Sequence, residues 1–364
     1  MTMTRIHNYY AGPAALPVEA LEAANKELIE WAGTGMSVME TSHRSKEYDE
    51  VHNTTISLFK ELIGLNDDWT VLLLQGGAST QFAMIPMNLL CDGRSADYIL
   101  TGAWSQKALK EAKIAGTTRV AGTSEKDGVF LRIPKQDELD LDPNATYCHV
   151  TSNNTIFGTQ WHVFPDTGNV PIVCDMSSDI LSRKIDVSKF GLIYAGAQKN
   201  LGPSGVTLVA IRKDLLEKCN SGLYTMLSYK THADKNSLYN TPPTFSIYMV
   251  GQVLKWLKGK GGVEAIEKEN TEKAQMIYGT IKDNPSFFST PIDPESGSHM
   301  NYVFRLPSED LEKQFVAEGK DAGFVGLKGH RSVGGIRISA YNANGIDSVR
   351  DFVSFMKNFA QKNG

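Results

Sequence analysis

The sequence predicts an α/β protein built on a mostly parallel sheet, followed by a smaller C-terminal α+β unit. Three observations carry this. Short apolar runs alternate with helix-like stretches through the middle of the chain. The runs are strand length and apolar almost throughout, as in strands covered on both faces. Near residue 259 the texture changes, where Lys258-Gly259-Lys260-Gly261-Gly262 separates two kinds of pattern.

Taken in order, residues 1–15, with Gly12-Pro13, read as an extended arm before a large unit over 16–258. Residues 71–74 form a strand, Gln75-Gly76-Gly77-Ala78-Ser79 a turn, and 80–90 a helix. A second strand at 98–100 ends at Thr101-Gly102-Ala103-Trp104 and leads into a helix through 105–113. Further strands fall at 147–150, 170–174, 192–194 and 206–211; the last two lie close enough for a hairpin, which would make the sheet mixed. A long helix over 244–257 closes the large unit. In the C-terminal unit, 259–364, Val263, Ile266, Asn270, Ala274, Ile277 and Ile281 recur at helical spacing. Strands at 301–306 and 336–340 follow, with a helix capped by Ser308 between them and a closing helix over 347–360.

Composition narrows the function. The 364 residues are 41% hydrophobic and 21% charged, ordinary values for a globular protein. Thirty-seven Lys and Arg against 41 Asp and Glu leave a net charge of −4 with no basic block, which argues against a nucleic-acid partner. No apolar run approaches the roughly 20 residues of a membrane helix, and residues 1–10 lack the apolar region of a signal peptide. Cys91, Cys148, Cys174 and Cys219 form no CxxC pair, so they read as reduced thiols of a cytoplasmic protein, and no metal site is expected.

The strongest local signal is Ala195-Gly196-Ala197-Gln198-Lys199-Asn200-Leu201-Gly202-Pro203, a lysine among small residues at a strand end. Desolvation there lowers the lysine pKa and makes the amine a usable nucleophile. A lone lysine in a turn is more often a surface residue, but Asp175 changes the balance. It closes the run 170–174, so an acid and a lysine stand at the carboxyl ends of neighbouring strands, where open α/β sheets bind ligands. A pyridoxal phosphate enzyme needs that pair: the lysine for the aldehyde, the acid for the pyridine nitrogen. Gly76-Gly77-Ala78-Ser79-Thr80 offers a helix N-terminus to a phosphate and matches neither a P-loop nor a GxGxxG fingerprint. Trp104 is placed to stack on a planar ring, and Thr155 sits in a polar loop after a strand; core packing and a turn are their ordinary roles.

With Asn8-Tyr9-Tyr10-Ala11-Gly12-Pro13-Ala14, Ser42-His43-Arg44-Ser45, Gln75 to Phe82, Ala197-Gln198-Lys199-Asn200, Tyr239-Asn240-Thr241-Pro242-Pro243 and Gly329-His330-Arg331-Ser332-Val333-Gly334-Gly335 added, the whole chain resembles the phosphoserine aminotransferases. These are class V aminotransferases with the type I pyridoxal-phosphate fold, a seven-stranded sheet and a smaller C-terminal domain. The resemblance implies that Lys199 forms the Schiff base and shuttles the proton, Asp175 pairs with the ring nitrogen, Trp104 stacks, and Thr155 meets the ring hydroxyl. It implies that Ala78, Ser79 and Gln198 hold the cofactor phosphate, joined by Asn240 and Thr241 of a neighbouring subunit in a homodimer. Arg337 would take the substrate α-carboxylate, while His43, Arg44, His330 and Arg331 would surround its phosphate. The implied reaction is reversible transamination of 3-phosphohydroxypyruvate with L-glutamate, giving O-phospho-L-serine and 2-oxoglutarate in serine biosynthesis. Activity in vitamin B6 synthesis stays open, because one extra hydroxyl discriminates weakly in an anion pocket. Ser79 stands where some members carry an arginine.

Three rivals remain at this level. A cysteine desulfurase needs a nucleophilic cysteine on a late loop, and none follows Cys219; an alanine–glyoxylate transaminase has no need of the two His-Arg pairs. A nucleotide-dependent oxidoreductase would carry GxGxxG. A non-catalytic pyridoxal-phosphate module would have no physical reason to keep Lys199, Asp175 and both basic pairs.

Overall fold

The computed structural model describes residues 5–91 and 93–364. Its centre is a sheet of seven strands: β1 (Trp69–Leu74), β2 (Ser95–Leu100), β3 (Thr117–Thr123), β4 (Cys148–Thr151), β5 (Ile172–Asp175), β6 (Phe190–Gly196) and β7 (Thr207–Arg212). Their spatial order is β1-β7-β6-β5-β4-β2-β3. All neighbours from β6 to β3 run parallel, and β7 is antiparallel to both β6 and β1. The sheet is therefore mixed, with the β6–β7 pair as its one close antiparallel connection; the loop between them carries Lys199.

Alternation along the strands places side chains in two cores. Val71 and Leu73 face one layer with Cys148, Val150, Ile172, Cys174, Ile193 and Ala195. Leu72 and Leu74 face the other with Tyr147, Val173, Leu192 and Tyr194. This is the period of two that a strand imposes, and burial on both faces is why six of the seven strands read as continuous apolar runs. β3, Thr-Thr-Arg-Val-Ala-Gly-Thr, lies at the edge, is largely half-exposed, and has no such run to mark it. The helix Lys46–Ile63 also carries no clean apolar stripe, because its buried face mixes Tyr48, Phe59 and Ile63 with His52 and Thr55. It crosses the helix Thr244–Gly259 closely: a Cβ on Gly251 would stand 2.6 Å from Thr55 Oγ1.

After Gly259 the helix Gly262–Asp283 begins a third core. Strands Asn301–Phe304 and Ile336–Ser339 pair antiparallel, and helices Glu309–Asp321 and Ile346–Asn363 pack against them. Phe315 lies at the centre, with ring centroids 4.8 Å from Phe355 and 5.0 Å from Phe359. Ser308 caps the helix Glu309–Asp321 by accepting from Leu311 N at 3.3 Å.

The N-terminal arm belongs to this core. His7–Asn8 form a short strand parallel to Phe324–Val325, and Tyr9 is fully buried with its hydroxyl donating to Ser348 O at 2.9 Å. Gly326 makes the docking possible: at φ +84° its missing side chain leaves room for the arm, whose Tyr10 N lies 2.4 Å from where a Cβ would be. Gly326→Ala is expected to destabilise the protein by more than about 1 kcal/mol and to expose the arm to proteolysis. Denaturant unfolding and limited digestion check both.

Candidate active site

The carboxyl ends of β2, β4, β5 and β6 open onto one cleft of about 290 Å³. Each turn there is held by a small set of contacts. At the end of β1, Gly76 adopts φ +91°, and any Cβ would strike Thr80 Oγ1 at 2.1 Å. That residue must be glycine for the helix Gly77–Leu89 to start where it does, with Gly77, Ala78 and Ser79 in its first turn on the cleft wall. The free N–H groups of such a turn suit an anion. At the end of β2, Ser105 Oγ accepts from Thr101 N at 3.0 Å and Gly102 N at 3.2 Å, which starts the helix Ala103–Ala115 and aims Trp104 into the cleft. Asn154 Nδ2 ties the loop after β4 to the same turn through Thr101 Oγ1, at 3.1 Å. Beside it Trp104 Nε1 donates to Thr155 Oγ1, also at 3.1 Å.

Asp175 ends β5. Its Oδ1 accepts from Ser177 N at 2.9 Å and Ser177 Oγ at 2.6 Å. Ser177 Oγ in turn accepts from Gly196 N at 3.0 Å, so β5 and β6 are joined at their tips. Both contacts fall on Oδ1, which leaves Oδ2 for a ligand. Burial raises the Asp175 carboxyl pKa, while Lys199 and the Ser177 bonds work against that rise. Lys199 follows β6 by three residues, in a tight turn where Gly202 N bonds Ala197 O at 2.8 Å. Burial lowers its amine, Asp175 opposes that, and Arg337 adds to it. Its Nζ stands 5.5 Å from the centre of the Trp104 ring. The arm closes this side: Ala14 N donates to Gln198 O at 2.9 Å, and a Cβ on Gly12 would meet Lys199 Cγ at 3.3 Å.

Arg337 enters from the C-terminal unit, on the strand Ile336–Ser339, and Nη1 donates to Thr155 O at 3.0 Å. The guanidinium is half-buried but stays charged at neutral pH. His330 also lines the cleft; burial and the nearby Arg337, Arg331 and Lys107 lower its pKa, which marks the mouth as positive.

One chain thus brings together Ala78, Ser79, Trp104, Thr155, Asp175, Gln198, Lys199, His330 and Arg337. His43, Arg44, Arg331, Asn240 and Thr241 lie outside this lining. Arg44, Arg331, Asn240 and Thr241 are exposed, and His43 is half-buried with no partner for Nε2 among the described residues. Sequence reasoning passed over Ser177 and Lys107. Ser177 is two residues after the acid, the spacing of a side chain that folds back on its neighbour. Lys107 is one helical turn beyond Trp104, with Nζ 4.4 Å from the indole centre.

The comparisons agree with this geometry. The family description "Aminotransferase class-V" matches residues 6–352. A phosphoserine aminotransferase of Lysinibacillus sphaericus (strain C3-41) is 57% identical over 358 residues, covering 98% of this chain and 99% of the relative. The chain belongs to the phosphoserine aminotransferase family. Two solved phosphoserine aminotransferases extend the likeness to the fold. The enzyme from Bacillus circulans subsp. alkalophilus superposes with a TM-score of 0.96 at 53% identity, covering 99% of each chain. The pyridoxal-phosphate-bound enzyme from Trichomonas vaginalis gives 0.91 at 38% identity, covering 97% of this chain and all of that one.

A planar, anionic cofactor with a basic ring nitrogen fits the cleft. It offers an amine, a carboxylate oxygen open to a ligand, an indole wall and a helix N-terminus. In this family member Ser177 is the brace of the acid. A carboxyl whose folded pKa lies above its unfolded value of 3.8 contributes stability below 3.8 that is lost as pH rises through the folded value. Ser177→Ala removes bonds that favour the carboxylate and leaves Gly196 N–H without its acceptor. The variant is expected to lose about 1–3 kcal/mol at neutral pH, and less below pH 3.8, where Asp175 is protonated in both states. Urea unfolding at the two pH values measures this.

Proposed function

We propose that this cleft holds pyridoxal phosphate and catalyses the reversible transfer of an amino group between L-glutamate and 3-phosphohydroxypyruvate, giving 2-oxoglutarate and O-phospho-L-serine for serine synthesis. The observation that carries the reading is the pairing of Asp175 and Lys199 at the tips of adjacent strands, facing a tryptophan. When bound, the cofactor supplies an electron sink for the bonds at the substrate Cα. The chain does the rest. Lys199 Nζ, made less basic by burial, anchors the cofactor aldehyde and afterwards moves the proton at Cα. Asp175 Oδ2 receives the ring N–H, and Ser177 keeps the carboxylate in place. Trp104 sets the ring plane, and Thr155 meets the ring hydroxyl. Ala78 and Ser79, at the start of the helix Gly77–Leu89, hold the phosphate together with Gln198 from the loop after β6; Ser79 stands where some family members carry an arginine.

Arg337 takes the α-carboxylate. His330, Arg331, His43 and Arg44 form the pocket for the substrate phosphate, or for the side-chain carboxylate of glutamate. This cluster and the cofactor contacts of Asn240 and Thr241 require a second subunit, so the working form is a homodimer. Two features support it: His43, Arg44, Arg331, Asn240 and Thr241 lie outside the cleft lining of one chain, and Tyr10, Met36, Met39 and Tyr239 present apolar surface beside them in sequence. The division into a cofactor-binding unit before residue 259 and a smaller unit after it belongs to the same reading, supported by the separate aromatic core of the second. A cytoplasmic location agrees with four unpaired cysteines. No described helix is long and apolar enough to cross a membrane.

The purified protein is expected to show a visible band near ~410–420 nm that L-glutamate and O-phospho-L-serine each convert to one near ~330 nm. A response to glutamate alone removes the phosphorylated substrate. Lys199→Ala should abolish turnover; near-normal turnover takes Lys199 out of the chemistry. Arg44→Ala should raise KM for 3-phosphohydroxypyruvate about tenfold or more with little change for a neutral oxo acid, and equal changes would place Arg44 away from the phosphate.

A further inference from the structure

The turn after β5 carries a second buried carboxylate that the reading above does not use. Asp179 is only 5% exposed and has three neighbours that hold it. Ser152 Oγ donates to Oδ1 in a very short hydrogen bond, Gln160 Nε2 donates to Oδ2 at 3.0 Å, and Arg183 Nη2 lies 3.6 Å from Oδ2. Arg183 is itself pinned: its Nη groups donate to the Trp161 and His162 carbonyls, and its guanidinium lies 5.3 Å from the Phe164 ring centre.

Ser152 connects this cluster to the catalytic acid. Its N–H donates to Asp175 O at 3.0 Å, and its hydroxyl lies 2.9 Å from the same carbonyl. One hydroxyl proton thus faces two acceptors, the Asp175 carbonyl and the Asp179 carboxyl group. The carbonyl end of Asp175 is therefore set by a serine whose own orientation is set by Asp179.

We propose that Asp179, clamped by Ser152, Gln160 and Arg183, is a positioning residue that fixes Asp175 and supplies part of the negative field at Lys199. The charges facing Lys199 are Asp175 and Asp179 on one side and Arg337 on the other, with His330 across the cleft. Those facing Asp179 are Arg183 and Asp175, with Lys199, Cys174, His162 and Tyr341 beyond. Asp179 acts to raise both the Asp175 carboxyl and the Lys199 amine. Arg183 neutralises it from the side away from the cleft.

The inference rests on Lys199 holding the cofactor, and it makes two variants move in opposite directions. Asp179→Asn keeps an acceptor for Ser152 and removes the charge. In the holoenzyme the pH midpoint of the visible band should fall by about half a unit or more, and cofactor affinity, measured by reconstituting the apoenzyme with pyridoxal phosphate, should weaken several-fold. Arg183→Met leaves Asp179 uncompensated, so the midpoint should rise. Unchanged midpoints and unchanged affinity, with only a lower melting temperature, would reduce Asp179 to a structural brace and overturn the proposal. If Asp179→Asn does not fold, a midpoint in Arg183→Met that is unmoved or lowered overturns it equally. A wild-type protein with no visible band after addition of pyridoxal phosphate would instead overturn the assignment of Lys199, and this inference with it.

Discussion

The electrostatics of the cleft are set by a buried carboxylate and a buried amine brought to neighbouring strand tips. A buried carboxylate and a buried amine each resist ionisation when alone. Asp175 and Lys199 relieve each other, and the relief is incomplete on both sides: the acid stays above its ordinary value and the amine below its own. That state suits the task. An acid fully neutralised by its neighbour would have little to offer a ring nitrogen, and an amine held permanently as an ammonium could not attack an aldehyde. The parallel β5–β6 register makes the pairing, because both strands deliver their ends to the same edge of the sheet, and Ser177 locks the tips together.

Much of this was legible in the residues. Strands covered on both faces advertise themselves as apolar runs, and the glycines at 76, 77 and 196 mark where those runs turn toward a ligand. Lys199 and Asp175 stood out because each follows such a run directly. What stayed hidden has physical causes. The edge strand Thr117–Thr123 has a wet face and no apolar run. The helix Lys46–Ile63 buries His52 and Thr55 against a partner helix, which breaks its stripe. Ser177 and Asp179 are ordinary polar residues in a turn until the fold shows what they touch. The basic pairs at 43–44 and 330–331 were visible only through the family resemblance, since two distant dipeptides have no spacing that implies a shared pocket.

The layout also separates duties. The large sheet supplies the groups assigned to the cofactor, on turns fixed by close contacts such as Gly76 against Thr80 and Gly102 against Asn154. The C-terminal unit supplies Arg337 and His330, two of the groups assigned to the substrate. Arg337 reaches across to the Thr155 carbonyl, the residue assigned to the ring hydroxyl.

The N-terminal arm has a consequence in time as well as in space. Ala11 and Gly12 form part of the cleft wall, yet the arm is seated by pairing with Phe324–Val325 and by Tyr341, whose hydroxyl donates to Ala11 O across 330 residues of sequence. The ribosome makes the wall well before its fastening. At roughly 5–20 residues per second of synthesis, the strands of the central sheet are made before the segments that pair with His7–Asn8 and bond Ala11. The side of the cleft formed by Ala11 and Gly12 therefore gains its seat only after residues 324–341 have been made.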